Sequence, residues 1–228
     1  MIEKKIVMIS DTHARHKQVS VPDGDVLIFA GDLMTSGRNF TEITDFAQWF
    51  SGQPHKTKIV VAGNHDRLFQ VNPLLCSREF SEDVIYLQDT GAIVDGLKYY
   101  GSPWQPAFFD WAFNAQRGAD IKRYWDMIPE DTDVLITHGP PYGILDQIYE
   151  GRDAFKHLGC EELLFAVERV KPRLHVFGHI HSGYGDDING QTIFVNASIC
   201  NEQYQPVNSP RVITLTVNSQ RVITLRKD

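Results

Sequence analysis

Short, unbroken apolar runs recur along this chain, and five of them end at residues able to ligate a metal or carry a proton. The clearest lies in Lys58–Asp66. Ile59, Val60, Val61 and Ala62 carry no polar position among them, which is the pattern of a strand covered on both faces. Gly63 then lets the backbone turn and approach its neighbours closely, and Asn64, His65 and Asp66 follow at once. The same design appears four more times. Lys5–Ser10 ends in Asp11-Thr12-His13, Asp25–Ala30 in Gly31-Asp32, Asp133–Thr137 in His138, and Leu174–Phe177 in Gly178-His179-Ile180-His181. Open α/β sheets place their sites at the carboxyl ends of strands, so these ends are the candidates.

Between the runs the period changes. Ile43, Phe46, Ala47 and Phe50 fall on one side of a helix predicted over Glu42–Phe50, with Thr41 as its cap. Helices are also predicted over Asp120–Ile128, stopping before Pro129, and over Glu161–Val170, stopping before Pro172. Val84–Leu87, Ala92–Val94 and Leu97–Tyr100 read as short strands, the last two joined across Asp95-Gly96, a strong hairpin signal. Gly101–Asn114 carries Pro103 and Pro106 and reads as a structured loop. Thr192–Val195, Arg211–Val217 and Arg221–Leu225 read as β-structure. Arg-Val-Ile-Thr-Leu occurs at both 211 and 221, so a C-terminal hairpin over 211–225 turning at Asn218-Ser219 is the simplest account. No Gly- or Ser-rich linker interrupts residues 1–228, and one domain is expected.

Charge narrows the partners. A formal net charge of −7 argues against a long nucleic-acid backbone, which calls for a basic face, but leaves room for a small anion held locally. The three cysteines, Cys76, Cys160 and Cys200, are far apart and odd in number, giving neither a disulfide framework nor a zinc spacing. Reduced thiols in a cytoplasmic protein are expected from this. The N-terminal apolar run is too short for a signal-peptide core, and no run approaches the ~20 residues of a membrane span.

The candidate chemistry rests on spacing. Asp11 and His13 are two residues apart, as are His179 and His181, so each pair can point one way in extended chain. The mixed oxygen and nitrogen donors suit Mn, Fe, Co or Zn better than Ca or Mg, and are too many for one tetrahedral zinc. As an ordered set, Asp-x-His, Gly-Asp, Gly-Asn-His-Asp, an isolated His and Gly-His-x-His resembles the calcineurin-like metallophosphoesterases over roughly residues 6 to 198. Gly101-Ser-Pro-Trp104-Gln-Pro, His138-Gly-Pro-Pro141 and Val195-Asn-Ala-Ser198 are similar to the metallophosphoesterase-domain-containing subfamily, which is associated with phosphodiester hydrolysis, including that of cyclic nucleotides.

The resemblance implies an α/β fold, a four-layer α/β/β/α sandwich of two mixed β-sheets flanked by helices. It implies two divalent transition-metal ions, with Mn favoured. One would take Asp11, His13 and His181, the other Asn64, His138 and His179, with Asp32 bridging. His65 would act as general acid for the leaving group while a metal-bridging hydroxide attacks in line. Two divalent cations against the carboxylates of Asp11 and Asp32 would leave the centre positive, matched to an anionic phosphate.

Other residues carry two readings each. Asp66 either orients the His65 ring or is a solvated turn residue. Arg15 and Arg38 either hold a phosphate oxygen or are solvated. His16 is expected to be exposed, with substrate contact as the alternative. His55 and His157 are expected at the surface, and His175 in the core or behind the ligands. Seven aromatic side chains fall in Tyr99–Phe113. They either plug a satellite core or offer Trp104, Phe108 or Trp111 to a nucleobase. Gly31-Asp-Leu-Met-Thr-Ser-Gly37 lacks the Asp-Arg of protein phosphatases. The expected activity is therefore a small-substrate phosphodiesterase, with a nuclease or phosphomonoesterase as alternatives and a metal-stabilised binding scaffold as the non-enzyme reading.

Overall fold

The computed structural model describes residues 2–149, 155–217 and 223–227. Its first strands are β1 (Ile2–Ile9), β2 (Val26–Ala30), β3 (Thr57–Val61), β4 (Val84–Tyr86), β5 (Thr90–Val94) and β6 (Leu97–Ser102). Two-residue strands β7 (Gln105–Pro106) and β8 (Asn114–Ala115) follow, then β9 (Val134–Thr137), β10 (Gln147–Tyr149) and β11 (Phe155–His157). The last five are β12 (Leu174–Phe177), β13 (Gly185–Asn189), β14 (Thr192–Asn196), β15 (Arg211–Val217) and β16 (Ile223–Lys227). The α-helices are α1 (Phe40–Ser51), α2 (Arg67–Val71), α3 (Pro73–Ser77), α4 (Ala119–Trp125) and α5 (Glu161–Val170).

Two six-stranded sheets, ordered β16-β15-β1-β2-β3-β4 and β13-β14-β12-β9-β6-β5, form the body of the molecule. In each, four neighbouring strands run parallel and antiparallel strands lie at the margin, β15 and β16 in the first sheet and β5 and β13 in the second. Alternation along each strand divides its side chains between two layers. Ile6, Met8, Ile28, Ile59 and Val61 of the first sheet pack with Tyr99, Ile136, Val176 and Val195 of the second. On the outer side of the first sheet, Val7, Ile9, Leu27 and Phe29 meet Ile43, Phe46 and Phe50 of α1. On the outer side of the second, Leu135, Phe177 and Phe194 meet Ile121 and Trp125 of α4 and Leu163 and Val167 of α5. The result is helix, sheet, sheet, helix. The runs had to be apolar on every residue because each strand is covered twice.

The sheets are joined at one end. Ser10 bridges to Ser198, its N–H donating to Ala197 O at 2.9 Å while its carbonyl accepts from Ile199 N at 3.0 Å. This stitch brings the carboxyl ends of β1, β2 and β3 beside those of β9 and β12.

Several elements differ from the sequence expectation. Helix α1 starts at Phe40, and its cap is Asn39, which accepts from Thr41 N, rather than Thr41 itself. Helix α4 ends at Trp125, earlier than Pro129 requires. The short helices α2 and α3, the antiparallel β10–β11 pair and the edge strand β13 have no apolar period to announce them. Val94 pairs with Leu97 across Asp95-Gly96. The turn expected at Asn218-Ser219 lies outside the described residues, while β15 and β16 pair antiparallel on either side of it.

Candidate metal centre

Asp11 and His13 leave the end of β1, Asp32 the end of β2, Asn64 and His65 the end of β3, His138 the end of β9, and His179 and His181 the end of β12. Reaching one point from five strands requires sharp turns. Asp11, His13, Asp32 and His179 all have positive φ, at 52°, 42°, 62° and 68°. Such backbone is uncommon outside glycine, and its concentration here marks a place where the fold holds strain in exchange for position. Gly63 supplies the room. A Cβ there would overlap Asp32 Oδ1, Asp32 N and the His138 ring.

Among the described residues, three groups each offer donor atoms within 4.8 Å of one another: Asp11, His13 and His181; His13, Asp32 and His65; Asp32, His138 and His179. The first and third have the composition of two neighbouring cation sites, and Asp32 lies between them. Asp32 Oδ2 is 3.8 Å from His13 Nε2 and 3.4 Å from His138 Nε2. Asn64 Oδ1 is 2.8 Å from His138 Nε2.

The far side of the rings shows what the near side is for. His13 Nδ1 donates to Met34 O at 3.2 Å, His138 Nδ1 to Ala30 O at 3.0 Å, and His181 Nδ1 to Asn201 O at 2.8 Å. A carbonyl only accepts, so the proton of each neutral ring sits on Nδ1 and the Nε2 lone pair faces inward. His13 Nε2 and His181 Nε2 face each other at 3.3 Å, close enough for one cation to accept both lone pairs when the rings are neutral. The donor set and its outer hydrogen bonds fit a pair of divalent ions.

Comparison with known proteins agrees with this chemistry. The family model described as calcineurin-like phosphoesterase matches residues 4–183. The chain belongs to the calcineurin-like phosphoesterase family. Metallophosphoesterase domain-containing protein 1 of Homo sapiens is 44% identical over 234 residues, spanning 92% of this chain and 71% of that protein. A UPF0046 protein (K07C11.7) of Caenorhabditis elegans is 40% identical over 221 residues, spanning 91% of this chain and 74% of that one. In fold, the chain superposes on the crystal structure of TT1561 of Thermus thermophilus with a TM-score of 0.54 at 12% identity, covering 99% of each chain. Calcineurin-like phosphoesterases bind divalent metals, and the groups named above are the candidates here.

The electrostatics of this phosphoesterase centre favour cations. Burial pushes Asp11 and Asp32 up, but the imidazoles outweigh it, His181 at Asp11 and His138 with His65 at Asp32, and both carboxyls stay below their usual range. Burial lowers His13 to about 4 and His179 to about 3, keeping both rings neutral and able to ligate. At His138 burial is overcome by the Asp32 carboxylate, which raises the ring to about 9. The same field that draws a proton there would draw a divalent ion.

His65 sits apart from the two groups that exclude it. Its N–H donates to Asp32 Oδ1 at 2.7 Å, its Nδ1 faces Thr35 O, and Trp111 stacks on its ring at 4.1 Å between centroids. Asp66 does not orient that ring, and it is not solvated either. Its fully buried carboxylate accepts from Gly63 N at 2.7 Å, Asp32 N at 2.9 Å, Leu33 N at 3.4 Å and Met34 N at 2.9 Å, tying the β2 and β3 ends together. Asp66→Ala strands these donors, and a loss on the order of 3 kcal/mol is expected from denaturant unfolding.

A cleft of about 670 Å³ opens over the centre, lined by Asp32, Asn64, His65, His179 and His181 at its floor. Arg15, Arg38 and Trp104 are not among its lining residues. Trp104 instead donates to Asp89 Oδ2 at 2.8 Å and stacks on Tyr124, so it belongs to the packing beneath the loop. Its walls include Phe108, Phe109, Trp111, Ile148, Lys156, Leu158, Arg117 and Tyr204. Of these, Lys156, Arg117 and Tyr204 gave no sequence signal, since none belongs to an apolar run or a motif. His16 and His55, expected at the surface, are buried. His16 packs against Phe46 and Trp49, and His55 Nε2 meets Pro22 O at 3.1 Å. His175 is fully buried, its Nε2 2.8 Å from Thr137 Oγ1.

Proposed function

We propose that this chain is a dinuclear metal-dependent phosphodiesterase for small substrates, with cyclic nucleotides or nucleotide-like diesters as the class. The observation that carries the reading is the pair of neighbouring donor groups with Asp32 between them, at the floor of an open cleft. Asp11, His13 and His181 would hold one ion, Asn64, His138 and His179 the other, and Asp32 would face both. Mn is the favoured metal, with Fe, Zn and Co as alternatives suited to the same donors. When bound, such a pair supplies Lewis acidity and a water acidified to neutral pH.

The chain's own residues do the rest. Asp11 is fixed by Ser198 Oγ at 2.9 Å and by His179 N at 3.1 Å, so its carboxylate cannot swing away. His65, held at Nδ1 by Thr35 O and flanked by Trp111, presents its other nitrogen for proton donation to a departing alkoxide. The aromatic wall gives a planar group somewhere to stack. The three cysteines are free and buried, which supports the cytoplasmic setting. Among the described residues no helix is long and apolar enough to cross a membrane.

His65→Gln is expected to lower kcat by about 10²–10⁴-fold with metal content unchanged. The substrate class is tested by comparing bis(p-nitrophenyl) phosphate with p-nitrophenyl phosphate on Mn-loaded protein. Faster turnover of the diester is expected. Faster turnover of the monoester would replace the diesterase with a phosphomonoesterase.

A further inference from the structure

Beyond the five strand ends, one more side chain leans over the centre. Tyr204 sits in the segment after β14, where neither the apolar pattern nor any motif pointed. Its ring packs edge-on against His13, with centroids 4.7 Å apart and planes at 78°, and against His181 at 5.5 Å and 83°. The His65 ring lies 6.2 Å away. Three imidazoles of the candidate centre therefore surround one phenol, which also lines the cleft.

The backbone spends conformational energy to put it there. Tyr204 has φ 56°, a region a bulky side chain rarely adopts. Asn201 imposes it. The Asn201 side-chain oxygen accepts from Gln203 N at 3.0 Å and Gln205 N at 2.9 Å, its carbonyl accepts from Tyr204 N at 2.9 Å, and its N–H donates to Gln205 O at 2.9 Å. The same carbonyl accepts from His181 Nδ1 at 2.8 Å. One tight turn thus both orients a candidate ligand and projects Tyr204 above it. A turn needing only to hold His181 would take Gly or Asn at the left-handed position.

We infer that Tyr204 is a substrate-contacting residue, its hydroxyl donating to a non-bridging oxygen of the phosphoryl group bound at the centre. The inference rests on the phosphoesterase reading above and extends it to this residue. A phenol ordinarily keeps its proton at neutral pH. A neutral phenol is a donor there, suited to oxygens whose negative charge grows in the transition state. The residue stays 44% exposed, open to the cleft.

The test uses full-length protein loaded with Mn, with inorganic phosphate as the probe. Tyr204→Phe keeps the ring and its contacts while removing only the hydroxyl. It is expected to retain metal content and Tm, to bind phosphate about tenfold more weakly by calorimetry, and to lose about ten- to a hundredfold in kcat/KM on bis(p-nitrophenyl) phosphate. Tyr204→Asn, compatible with the backbone, is expected to show the same losses with Tm held or raised. Phosphate affinity and kcat/KM unchanged in Tyr204→Phe would overturn the inference while leaving the phosphoesterase reading intact. Wild-type protein that takes up no metal would overturn that reading and this inference with it.

Discussion

Asp32→Ala is expected to abolish turnover, with kcat/KM falling about 10³-fold or more, and to empty both cation sites. Asp32 belongs to two of the three donor groups, and its Oδ2 lies between His13 and His138. Its other oxygen accepts from His65 N, so the same carboxylate also fixes the candidate acid. Removing it leaves the buried His138 without the counter-charge that holds its ring high. Asp32→Asn separates charge from shape. The amide can still accept from His65 N, but the negative charge facing both sites is gone. If charge is what matters, Asp32→Asn resembles Asp32→Ala in metal content, measured by elemental analysis, while unfolding by denaturant shows a smaller stability loss. An Asp32→Ala variant that keeps two ions and most of its turnover would remove Asp32 from the shared position.

Gly63→Ala is the second large effect, and it acts without touching a candidate ligand's own identity. The added methyl would overlap Asp32 Oδ1 and N on one side and His138 Cε1 on the other. Asp32 N is backbone, and the Asp32 carboxylate and the His138 ring are buried and held by hydrogen bonds to His65 N and Ala30 O, so none of them yields cheaply. Overpacking of this kind costs ~1–3 kcal/mol. Function should suffer more than stability, because a displacement of ~1 Å at reacting groups can cost ~10²-fold in rate. The expected outcome is a folded protein with weakened metal binding and turnover down by about 10²-fold. Wild-type metal affinity in a folded Gly63→Ala protein would show that the crowding is relieved elsewhere.

How much of this could be read from the chain depends on what repeats. The five strand ends were legible because a strand buried on both faces has to be apolar at every residue, so its end is abrupt. Four of the residues placed there have positive φ, which no pattern predicts, yet the ligand types were recognisable by spacing. The role of Asp66 is not legible in the sequence because it depends on Gly63, Asp32, Leu33 and Met34 coming together, and three of those lie more than thirty positions away in the chain. The burial of His16 and His55 is not legible either, because a single buried polar residue leaves no period. Trp104 and Trp111 are seven positions apart in one aromatic stretch. Only the tertiary path shows that the first stacks on Tyr124 and the second on His65. Strand β13 was missed because its edge position leaves it polar and largely exposed.

Elemental analysis alongside turnover tests most directly whether the five strand ends cage two ions. Protein stripped with a chelator should be inactive, and re-addition of Mn should restore activity in step with metal uptake, saturating at two ions per chain. Turnover that survives complete chelation, or uptake that never exceeds background while the protein stays folded, would contradict a two-ion cage.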